Sequence, residues 1–208
     1  MLDLDFSRVF PASVTAELSS GWWRPRSGHP HYGADLFTPT GTPVLAPGAG
    51  MVTKTQRSSS GAAGIYVVLQ HPSGISSRYM HLSQIADELA PGDPIRRGQL
   101  LGRSGNTGAS EGPHLHFDLK APAALLPAII AAVGEPSTGW GPLQEPWGYG
   151  IPVEPWLPVD RYPQRTIDDA KRYNVPLYQD RAGSAGVFLL KVALAGFAAW
   201  GANRLLFR

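Results

Sequence analysis

His114-Leu-His-Phe-Asp-Leu119 is the stretch whose reading decides this chain, because polar and apolar residues alternate at every step. An extended strand sends successive side chains to opposite faces. His114, His116 and Asp118 therefore share one face, and Leu115, Phe117 and Leu119 share the other. Two residues along a strand rise by about 6.6–6.8 Å, and imidazoles at that separation can converge on one point. A second polar pair lies far upstream in His31-Tyr-Gly-Ala-Asp35, again at even spacing. Between its two members stands Gly33, which leaves space on their face. Imidazole and carboxylate together suit a divalent zinc ion.

Around these pairs the sequence reads as short strands cut by turns, and Gly 24 and Pro 20 fit a turn-rich, mainly β protein. Thr42 to Val52 reads as strand, turn, strand. Ile65 to His71 reads as a buried strand, which Pro72-Ser-Gly74 turns back into Ile75 to His81. Leu82 to Leu89 has helical spacing, with Ser83 as N-cap. Gly102 to Pro113 is a glycine-rich loop that lacks the Gly-Lys-Ser/Thr ending of a phosphate-binding loop, so turn geometry explains it better. Ala121 to Val133 predicts a short helix interrupted by Pro127, and Arg165 to Tyr173 predicts another.

The chain has 208 residues, enough for one good core with a smaller appendage. Its net charge of +2 is small and diffuse, which argues against nucleic acid as a partner. It has no cysteine, which excludes disulfides and thiolate ligands. The N-terminal residues Met-Leu-Asp-Leu-Asp-Phe-Ser-Arg contain no apolar run, so no Sec-type signal peptide is expected there. At the other end Val187 to Ala202 is apolar or small except for Lys191, slightly short for a spanning helix. Residues 186–208 are the expected hydrophobic C-terminal helix, a candidate contact with a membrane or a protein assembly.

Five ordered stretches give the chain a family resemblance. They are His31-Tyr-Gly-Ala-Asp35, Pro43-Val-Leu-Ala-Pro-Gly-Ala-Gly-Met-Val52, Tyr79-Met-His81, Gly98-Gln-Leu-Leu-Gly-Arg-Ser-Gly-Asn-Thr-Gly108 and Gly112-Pro-His114-Leu-His116. In this order the chain resembles the lysostaphin-type (LytM-domain) zinc endopeptidases, which cut peptidoglycan peptides. The resemblance covers about residues 20–120 and implies a small antiparallel sheet forming a groove, of the duplicated hybrid motif type. Val153-Glu-Pro-Trp-Leu157 resembles the segment that closes the family's domain. The expected organisation is a lead-in over 1–19, a peptidase domain over 20–160 with an insertion at 121–150, a linker with a short helix over 161–185, and the C-terminal helix.

The resemblance implies that His31, Asp35 and His116 ligate one zinc ion, with water in the fourth position as in a catalytic site. It implies that His81 and His114 are the catalytic, non-ligand histidines. No His-Glu-x-x-His motif is present, so an imidazole serves as proton acceptor. Arg24 and Asn106 are the candidate substrate contacts, and Asp118 stands where many family members carry Glu, a position suited to orienting a ligand. His29 reads as loop and His71 as a strand end. The implied function is hydrolysis of peptide bonds in peptidoglycan stems or cross-bridges, within the bacterial envelope or periplasm. Without a visible signal peptide, a phage or virion-associated murein hydrolase is one expectation, and a C-terminally anchored cellular enzyme another. The alternative class is a non-catalytic module that scaffolds or activates other hydrolases; the complete ligand set argues against it.

Overall fold

The computed structural model describes residues 6–26, 29–144, 146 and 148–177. Its strands begin with β1 (Glu17–Ser20) and β2 (Ala34–Phe37), followed by β3 (Pro43–Leu45), β4 (Gly50–Gln56), β5 (Ile65–Gln70) and β6 (Ser76–Leu82). Then come β7 (Gln84–Ile85), β8 (Pro94–Ile95), β9 (Leu100–Arg103) and the eight-residue β10 (His114–Ala121). Helix α1 (Leu126–Val133), β11 (Leu143–Gln144), β12 (Gly148–Ile151) and helix α2 (Gln164–Arg172) complete the order. The protein is mainly β, with every strand pair antiparallel.

Nine strands form the main sheet, in the order β1-β2-β10-β6-β5-β4-β8, while β12 pairs with β10 and β11 with β12. A second sheet runs β3-β9-β7. One edge of β10 is shared: β2 pairs along His114 to Phe117, and β12 continues along Leu119 to Ala121. The alternation of β10 is realised as expected, since Leu115, Phe117 and Leu119 are fully buried in the hydrophobic core. Burying each such side chain contributes about 1.5–3 kcal/mol. The opposite face is also covered, with Asp118 and Lys120 buried. From the N-terminal segment, Phe6, Val9 and Phe10 join the same core, and Phe6 packs edge-on to Phe117.

Two local expectations are corrected. Leu82 to Leu89 forms no helix: it carries the strand β7 followed by a turn. Leu82, Ile85, Ala86 and Leu89 do bury the helical-looking positions. Their backbone is satisfied differently, by pairing of β7 with β9 and by the Arg57 guanidinium, which donates to the carbonyls of Ile85, Ala86, Asp87 and Leu89. Pro127 does not interrupt a helix either. It sits in the first turn of α1, where its missing N–H costs no intrahelical bond, after a 3-10 turn at Ala123–Leu125.

The hairpin at Pro72 to Gly74 is present, with Gly74 at φ 88°. In the glycine-rich loop the backbone of Gly108 packs on Gly64, where a Cβ would meet the Gly64 nitrogen at 2.4 Å. Close backbone approach therefore explains that glycine. The expected C-terminal helix lies outside the described residues. Among those described, no helix is long and apolar enough to cross a membrane.

Candidate active site

Asp35 and His116 face each other across the β2–β10 pair in direct register, and His114 stands opposite Phe37 two positions away. His31 is not on a strand; it is held in the preceding loop by hydrogen bonds from His31 N to Arg24 O and from Trp23 N to His31 O. His81 enters from β6, beside β10. Gly33 makes the convergence possible: a Cβ there would lie 2.8 Å from His116 Nε2 and 2.8 Å from Phe117 O.

Three donor atoms meet at the centre. His31 Nε2 lies 3.0 Å from His116 Nδ1 and 3.2 Å from Asp35 Oδ1, and His116 Nδ1 lies 3.0 Å from Asp35 Oδ1. For metal–ligand bonds of 2.0–2.1 Å, a tetrahedral site has donor–donor edges of about 3.3 Å. The triangle is close to that size, and the set of two imidazoles and one carboxylate fits zinc chemistry. His31, Asp35 and His116 could thus hold one divalent ion.

Each imidazole has one nitrogen tied outward. His31 Nδ1 donates to Gly21 O at 2.8 Å, His81 Nδ1 to Thr107 O at 2.8 Å, and His114 Nδ1 to Gly112 O at 2.8 Å. A carbonyl oxygen only accepts, so these nitrogens carry the hydrogen and leave Nε2 with its lone pair. His114 Nε2 points to the centre, 3.5 Å from Asp35 Oδ1. For His116 the roles are reversed: Nδ1 faces the other donors and Nε2 faces Asp118 Oδ2 at 3.5 Å. The rings of His81 and His114 lie 4.8 Å apart, and that of His81 is 6.0 Å from His116.

Electrostatics fix the charge states. Burial lowers His81 to about 4, so its lone pair is available at neutral pH and lost on acidification. Burial likewise lowers His31, keeping it neutral. Burial would raise the Asp35 carboxyl, but its close polar contacts with His116 and His31 outweigh it and hold the group well below the usual carboxylate range. His81 also has φ 60°, left-handed for a non-glycine residue, a strained conformation of the kind found at functional sites.

Asp118 is fully buried and bound by Arg78, whose Nε lies 2.9 Å from both carboxylate oxygens. Burial opposes its ionisation, but the Arg78 charge keeps it a carboxylate. It is placed to fix the His116 tautomer, as acceptors behind metal-binding histidines do. Asp118→Asn is expected to weaken zinc binding by about 10–100-fold, measured by competition with a chelator.

The two expected substrate contacts are not drawn into this cluster. Arg24 pairs with Asp169 of α2 at 2.7 Å, and Asn106 is exposed in the loop between β9 and β10. Two neighbours escaped the sequence reading. Arg26 pairs with Asp35 Oδ2 and donates to Ser20 Oγ at 3.0 Å, leaving Asp35 Oδ1 to the centre. Nothing in an Arg-rich loop marks which guanidinium turns inward. Phe37 follows Asp35 by two, so it shares the site face opposite His114, and it is 57 % exposed. Extending the period of two past Asp35 would have found it.

Fold and site define a mainly β domain with a candidate three-donor metal site flanked by two further imidazoles. Residues 29–125 match the family model described as Peptidase family M23. Over 90 residues the chain is 47 % identical to the peptidoglycan DD-endopeptidase ShyA of Vibrio cholerae serotype O1, covering 43 % of this chain and 20 % of that protein. Over 125 residues it is 34 % identical to the peptidoglycan DD-endopeptidase ShyB of the same organism, covering 57 % and 28 %. The chain thus spans between a fifth and about a quarter of these relatives' lengths. A crystal structure of a zinc containing peptidase from Vibrio cholerae shares 34 % identity at a TM-score of 0.48, covering 55 % of this chain and 36 % of that one.

Proposed function

We propose that the protein is a zinc-dependent endopeptidase that hydrolyses peptide bonds in the stems or cross-bridges of bacterial peptidoglycan. The observation that carries this reading is the convergence of His31 Nε2, Asp35 Oδ1 and His116 Nδ1 within 3.2 Å, beside two imidazoles that are not part of the triangle. Identity to two peptidoglycan DD-endopeptidases supports the substrate class. His31, Asp35 and His116 would hold the ion. When bound, it supplies Lewis-acid polarisation of the scissile carbonyl and lowers the pKa of bound water towards about 7.

His81 and His114 perform the proton transfers. Each offers an Nε2 lone pair fixed by a backbone carbonyl on the far nitrogen, so each can accept a proton from the attacking water. The same imidazole, once protonated at Nε2, gives that proton to the leaving amine. Phe37, exposed on the site face, joins Arg24 and Asn106 as a proposed substrate contact.

Digestion of purified sacculi of known chemistry, with fragments identified by mass, tests the reading. Zinc-loaded protein is expected to release muropeptides, a chelator to stop release, and zinc to restore it. No release by folded, zinc-loaded protein would instead favour the non-catalytic scaffold. Residues 186–208 carry the proposed membrane or assembly contact. Cell fractionation with and without 184–208 tests it, and a virion-borne role predicts co-purification with particles.

A further inference from the structure

We infer that Glu154, outside the matched family region, is a positioning residue for His31, acting through the Gly21–Trp22 peptide group. The inference rests on the reading of His31 as a metal ligand. Its basis is one amide. The carbonyl of that amide, Gly21 O, accepts from His31 Nδ1 at 2.8 Å. Its N–H, on Trp22, donates to Glu154 Oε1. A buried carboxyl group therefore fixes the plane and orientation of the peptide unit that sets the direction and tautomer of His31. Hydrogen bonds in series polarise one another, and a low-dielectric surrounding strengthens each. Both Gly21 and Glu154 fall outside residues 29–125.

The approach is tight and specific. A Cβ on Gly21 would lie 2.5 Å from Glu154 Oε1, so only glycine admits the carboxyl at this distance. Glu154 is 3 % exposed and sits in the turn Val153–Leu157, closed by hydrogen bonds from Trp156 N and Leu157 N to Val153 O. Val153, Trp156 and Leu157 are buried in the main core, which makes that turn a firm support. Oε2 has no hydrogen-bond partner among the described residues. Burial pushes the carboxyl up to about 7, opposed by the N–H groups of Trp22, Glu154 and Val153. A proton bound there resides on Oε2, so Oε1 remains an acceptor in either state and glutamine reproduces its role.

The test is zinc affinity of the full chain by chelator competition, together with the His31 Nδ1–H resonance in histidine-labelled protein. Glu154→Ala and Glu154→Leu are expected to weaken zinc binding about tenfold, the lower end of the range for groups behind a ligand. They shift the His31 resonance while leaving those of His81 and His114 in place. Glu154→Gln restores affinity to within about twofold, the acceptor being kept. Arg8→Ala controls for general loosening: it breaks the ion pair to Asp160 and the bond to Val14 O, and zinc affinity should not change. Wild-type affinity in folded Glu154→Ala, or an equal loss in Arg8→Ala, overturns the inference. If the wild type itself binds no zinc, the metal reading fails instead. If Glu154→Ala does not fold, the Gln and Leu variants decide by the same comparison.

Discussion

His116→Ala is expected to take bound zinc from one equivalent to none and to abolish muropeptide release. The triangle of His31, Asp35 and His116 has edges of 3.0–3.2 Å, so removing one member leaves two of its three donors. His114 Nε2, 3.5 Å from Asp35 Oδ1, lies outside this triangle. Losing the Lewis acid removes several kcal/mol of transition-state stabilisation, which corresponds to a rate loss of about a thousandfold or more. Metal analysis by mass spectrometry after dialysis checks the first half, and sacculus digestion the second. Full zinc retention in the variant would mean that His116 is not a ligand.

His114→Ala, two residues away on the same strand face, is expected to behave in the opposite manner. Zinc content should remain at one equivalent while turnover falls by about 10²–10⁴-fold, the usual contribution of a positioned acid–base group. The physical reason is the ring's commitment: Nδ1–H is spent on Gly112 O at 2.8 Å and is supported by Ser110 Oγ at 3.2 Å. Only Nε2 is free to exchange protons. Parallel measurement of zinc and fragment release separates the two histidines. If His114→Ala loses zinc as His116→Ala does, the division of labour between them is wrong.

Much of this site was legible because it is written in a period of two. Alternation in His114 to Leu119 gave the strand, its buried face and its polar face, and Gly33 marked the space between His31 and Asp35 that His116 fills. Five site histidine and aspartate positions, His31, Asp35, His81, His114 and His116, do lie together. What escaped were devices built from distant partners. Leu82 to Leu89 carries a helical spacing, yet Arg57 takes four of its carbonyls from about 30 residues upstream in sequence, and no local rule announces that. The left-handed backbone at His81 is equally silent, since histidine has no intrinsic preference strong enough to reveal it. Arg24 and Arg26 are chemically alike and two apart, but one turns to Asp169 on α2 and the other to Asp35.

The register of β10 has a consequence for the folding chain. His116 pairs with Asp35 at the same step that Leu115 pairs with Leu36 and Phe117 with Ala34. A slip of one residue would turn every side chain over, sending imidazoles into the core and Leu115 and Phe117 to the site. Across this strand pair the Asp35–His116 match and the core contacts therefore come into place together. A newly made chain therefore carries its own safety catch: Asp35 and His116, two of the candidate ligands, meet only in the register that also closes the core.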